Sequence, residues 1–138
     1  MGVYPPLSYI YMTTKNYRYY ERGYFDKYVL TYMDVTMFNQ GVNVGKSKLS
    51  YNKLTGLGVL KLDFYLSKSP GDFTKVGWLS GNSPTANELI EESINIGDVS
   101  FALFVDRGSR DVIFKHISGD INTVLNRRMI INLVGLWS

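Results

Sequence analysis

The chain has 138 residues and no cysteine, with 45% apolar and 20% charged side chains and a net charge of +3. These values describe one folded domain and exclude a disordered chain, a disulfide framework and any thiolate metal site. No apolar run reaches the roughly 18 to 20 residues that span a bilayer, so membrane insertion is not expected.

At the N-terminus, Met1-Gly-Val-Tyr-Pro-Pro-Leu7 lacks a basic segment followed by an apolar one, so no secretory signal is expected. Nine of the 11 tyrosines lie in the first 32 residues. Leu7-Ser-Tyr-Ile-Tyr-Met12, Asn16-Tyr-Arg-Tyr-Tyr20 and Lys27-Tyr-Val-Leu-Thr-Tyr-Met33 all favour strand, with turns at Lys15-Asn16 and Arg22-Gly23. Tyr9 and Tyr11 sit two apart, as do Tyr17 and Tyr19, which on a strand puts each pair on one face. Four glycines (Gly41, Gly45, Gly56, Gly58) and three asparagines then surround a short strand, Ser47-Lys-Leu-Ser-Tyr51.

Gly58-Val-Leu-Lys-Leu-Asp-Phe-Tyr-Leu66 carries the clearest alternation. Leu60, Leu62, Phe64 and Leu66 share one face, and Lys61, Asp63 and Tyr65 the other. A turn at Ser67-Lys-Ser-Pro-Gly-Asp72 leads to a strand at Phe73-Thr-Lys-Val-Gly-Trp-Leu79. Thr85-Ala-Asn-Glu-Leu-Ile-Glu-Glu92 has helix-like composition, and Ser83-Pro84 reads as an N-cap with proline at the first helical position. A short helix, or a loop with one helical turn, is expected there. Three further strands follow at Val99–Val105, Asp111–Ile117 and Met129–Trp137, separated by the turn-forming Asp106-Arg-Gly-Ser-Arg110 and by a loop over residues 118–126. The whole reads as all-β: an antiparallel Greek-key or jelly-roll-like barrel/sandwich with at most one short helix. It is one domain over residues 1–138, with Tyr-rich strands in 1–38 and barrel core strands in 56–137.

Chemistry-bearing motifs are sparse. His116 is the one histidine, and it shares a strand face with Val112 and Phe114. Without a cysteine or second histidine, a metal site would need two or three carboxylates, so neither a metal nor a cofactor is expected. Gly56-Leu-Gly58 precedes a strand instead of opening a helix, which argues against a nucleotide loop. Asp106 and Asp111 flank one turn, and Glu88, Glu91 and Glu92 cluster on the expected helix. Paired carboxylates can cleave glycosidic bonds, yet acidic residues in turns and on solvated faces are commonplace. The 15 basic residues are dispersed, with one adjacent pair at Arg127-Arg128, whereas a nucleic-acid footprint concentrates them. A single-stranded nucleic-acid barrel would stack bases on Tyr17, Tyr19 and Tyr20 beside Lys15 and Arg18. Tyrosine also suits protein interfaces and sugar platforms. The apolar load of Val3–Tyr11, Val29–Phe38 and Met129–Trp137 exceeds what one small barrel obviously hides, which suggests a homo-oligomer with a buried axis.

From residue 56 to 137 the pattern resembles the receptor-binding and baseplate appendage head domains of tailed bacteriophages of lactococci and related Gram-positive hosts. The features are Leu57-Gly-Val-Leu-Lys-Leu-Asp-Phe64, Gly77-Trp-Leu79 with Pro84 beyond it, the Val99–Val105 strand, Arg110-Asp-Val-Ile113 and the closing Ile130–Trp137 strand. The resemblance implies a homotrimer of β-barrel heads that binds host cell-wall saccharide without catalysis, in a virion tail tip or baseplate beside other tail proteins. Leaving the cell by lysis would need no signal peptide. Candidate saccharide-binding residues are Trp78, whose indole can stack on a sugar ring, and Asp106, Arg110 and His116, which can bond its hydroxyls. The alternative is a structural virion protein whose tyrosines contact only other proteins.

Overall fold

The computed structural model describes residues 30–37 and 41–138. The strands expected at 7–12 and 16–20 lie outside the described residues. Nine strands follow in chain order. They are β1 (Leu30–Met37), β2 (Gly41–Asn43), β3 (Lys48–Asn52), β4 (Leu57–Leu66), β5 (Thr74–Leu79), β6 (Ile90–Ile96), β7 (Val99–Val105), β8 (Asp111–Ser118) and β9 (Met129–Leu136).

They form two antiparallel sheets. In the first, β4 is central: β9 pairs along eight of its positions, from Leu57 opposite Leu136 to Phe64 opposite Met129. Its other edge takes β3 and, further along, β2. The second sheet has the order β5-β8-β7-β6. β1 runs from one sheet to the other: Leu30–Asp34 pair with β3, and Val35–Met37 with β5. The molecule is therefore a sandwich. It is not the closed barrel that was the other expectation, because among the described residues β6 pairs with β7 alone and leaves the second sheet open.

The alternation read in β4 is the one that fills the core. Leu60, Leu62, Phe64 and Leu66 are fully buried between the sheets with Leu103, Val112, Phe114 and Leu133. Phe101 and Phe114, on neighbouring strands, stack with ring centroids 5.3 Å apart. At one end, the indole of Trp137 occupies the space above Gly58. A Cβ at position 58 would lie 2.7 Å from Trp137 Cδ1 and 2.8 Å from Tyr51 Cβ, so that position accepts only glycine without a shift.

The helix expected over 85–92 is absent. Residues 80–83 form a turn closed by Ser83 N–H to Ser80 O, and Ala86 bridges to Trp137. Residues 90–92 open strand β6. Ile90, Glu92 and Ile94 are buried on one face, and Gly97 at φ 60° turns the chain directly into β7, Ile96 pairing with Val99. Period-2 alternation through Ile90-Glu-Glu-Ser-Ile-Asn-Ile96, followed by Gly-Asp, was the overlooked signal. The one helical element among the described residues is a 3-10 turn at Ile121–Val124, capped by the Asp120 side chain. It lies inside the loop expected over 118–126.

The apolar surplus attributed to a shared axis is partly absorbed within one chain. Met129, Ile131, Leu133, Val134 and Trp137 are all buried, which leaves Leu136 exposed on that strand.

Candidate functional site

The four residues expected to bind saccharide fall into two groups. Trp78 lies opposite Asp111 across the β5–β8 ladder, and Leu79 N–H bonds Arg110 O, so Trp78 and Arg110 are neighbours. Asp106 belongs to the same β7–β8 turn, where its carbonyl accepts from Ser109 N–H. His116 is at the other end of β8, roughly 16 Å away at about 3.3 Å per residue.

At the first end, the side chains are largely committed to structure. Arg110 Nε donates to Ser83 O at 2.7 Å and straps the 80–83 turn to the sheet. Lys75 stands 5.8 Å over the half-buried Trp78 ring and 3.8 Å from Asp111 Oδ1. Two of the carboxylates considered for hydrolysis are set apart and a third faces a lysine. Glu91 and Glu92 project to opposite faces of β6, and Asp111 is tied to Lys75.

At the second end there is a cleft of about 350 Å³. Its floor is apolar: Pro70, Phe114 and Ile121, all buried. Its rim is polar, formed by Ser69 and Asp72 from the β4–β5 loop, His116 from β8, and Asp120 and Asn122 from the 3-10 turn. The β5–β8 pairing, with Thr74 opposite Phe114, brings the first loop against the end of β8. Asp72 Oδ1 consequently accepts the His116 backbone N–H at 2.9 Å. His116 Nε2 lies 2.7 Å from Gly119 O, which closes the chain after β8. Gly119 takes φ 79°, and a Cβ there would strike the Asp98 carbonyl, so the bend at this rim requires glycine. Asp120 Oδ1 accepts both the backbone N–H and the side-chain amide of Asn122 at 3.0 Å, which sets the 3-10 turn and its own orientation.

Of the expected residues, His116 alone contributes to this cleft. Asp72, Asp120 and Asn122 were legible only as turn formers, since Asp72 and His116 are 44 residues apart. Among the described residues no group of three histidine, aspartate or glutamate side chains is placed to hold a metal. The tyrosines considered for base stacking lie outside the described residues. Comparison of the chain with protein-family models, curated proteins and solved structures finds no match in any of the three.

Proposed function

We propose that this chain is a non-catalytic saccharide-binding head domain of the phage receptor-binding type, which recognises a host cell-wall glycan through the cleft around His116. The observation that carries the reading is the composition of that cleft: an apolar floor under a rim of aspartate, asparagine, serine and histidine groups. A sugar ring has the same division, with C–H faces for the floor and hydroxyls for the rim. The spatial order β5-β8-β7-β6, in which a three-strand meander is joined by a strand from before it, supports the Greek-key form of the sandwich. In this reading the heads assemble as homotrimers on a tail tip or baseplate and need neither metal nor cofactor.

Adsorption tests it. Purified chain incubated with intact Gram-positive cells should be retained and then released by excess cell-wall polysaccharide. His116→Ala should weaken retention about tenfold, the loss expected when a bound group of about 1.4 kcal/mol is removed. Absence of retention on any cell or wall preparation would overturn the proposal.

A structural virion protein is the second reading, and it rests on the exposed side chains of Leu54, Phe73 and Leu89. It predicts binding to tail proteins with no binding to cells.

A further inference from the structure

We infer that the cleft admits neutral, hydroxyl-bearing sugar units and rejects those carrying phosphate or carboxylate, a specificity that rests on the saccharide reading above. The argument is an inventory of donors and acceptors. Gly119 O is a carbonyl and can only accept, so His116 Nε2, 2.7 Å away, carries the hydrogen. Asp72 uses Oδ1 on the His116 backbone N–H, and Asp120 uses Oδ1 on Asn122. The second oxygen of each carboxylate has no hydrogen-bond partner among the described residues.

The rim therefore presents two carboxylate oxygens that accept hydrogens. Sugar hydroxyls supply them. A phosphate or uronate group supplies none and brings negative charge against two aspartates. Among the described residues no lysine or arginine lines the cleft to offset that repulsion. Lys115, the neighbour of His116, projects to the opposite face of β8. Beneath the rim, Pro70 and Ile121 offer the C–H face of a ring a small apolar surface, Phe114 being fully buried.

The test uses the full chain on an array that holds neutral glycans beside matched phosphorylated and uronate forms. Retained glycans should be neutral, with the anionic counterpart of each at least tenfold weaker. In the double variant Asp72→Asn and Asp120→Asn that ratio should fall below threefold. Asparagine keeps an acceptor for the His116 N–H, and a melting curve checks that the variant folds. If it does not, Asp120→Asn alone should still narrow the ratio. Anionic forms that bind as well as, or better than, their neutral partners would overturn the inference and leave the saccharide reading standing. Binding to no glycan at all would overturn both.

Discussion

Two carboxyl groups outside the cleft show how one side-chain chemistry is used in opposite ways. Glu92 lies on the inner face of β6 between Ile90 and Ile94, opposite Leu103, and is 7% exposed. Its Oε1 has no hydrogen-bond partner, and burial pushes its pKa up to about 7. Between 4.5, its ordinary value, and about 7 the folded chain holds a proton that the unfolded chain has released. Stability from this group is thus highest at low pH and falls as pH rises through that window. Glu92→Gln should remove the slope, raising stability at pH 8 by about 1–3 kcal/mol and changing it little at pH 4, as read by denaturant melts. Asp63 is the reverse case. Arg128 donates to both its oxygens, at 2.8 and 2.7 Å, and this pairing, opposed by burial, holds its pKa below the ordinary 3.8. Its contribution is complete above 3.8 and is lost as pH falls through the lower folded value. Arg128→Met should cost about 1–3 kcal/mol at pH 7 and progressively less below pH 3. An unchanged melting temperature at pH 7 would contradict it. The same carboxylate explains Gly45, where any Cβ would collide with Asp63 Oδ2.

At the scale of elements, β4 and β6 form a contrast. Both alternate, but β4 does so with leucines and phenylalanine on its core face, a pattern legible without any partner. In β6 a glutamate takes a core position, and Ser83-Pro84 with three glutamates imitates a helix start. Local composition favoured helix, while pairing with β7 along all seven positions imposed strand. The Gly58–Trp137 contact locks the start of β4 to the chain segment after β9, and its sequence signal is only a glycine in a strand. Gly58→Ala should displace the indole and destabilise by about 1–3 kcal/mol, with a shift in tryptophan emission. Retention of wild-type stability and emission would show that the indole has room to move.

For the whole molecule, one of the three segments that suggested a shared axis, Met129–Trp137, buries most of its apolar side chains within the sandwich. The homotrimer of the proposed function therefore rests on the resemblance and not on the surface of β9. Light scattering on the full chain should return about 47 kDa, three times 15.7 kDa. A 15.7 kDa species would reduce the protein to a monomeric binding domain and leave the cleft and its specificity intact.

The sequence by itself determined the all-β class and the positions of most strands from β3 onward. Alternation and turn chemistry are local properties, set by the pleat and by residues such as glycine, proline and asparagine. Tertiary structure alone decided which strands are neighbours and which loops meet. It chose sandwich over barrel, turned residues 90–96 into a strand, separated His116 from Trp78, Asp106 and Arg110, and set Asp72 beside it. The physical reason is that pairing between segments 33 to 44 residues apart depends on how whole sheets bury their faces against each other. No residue type at a single position reports that.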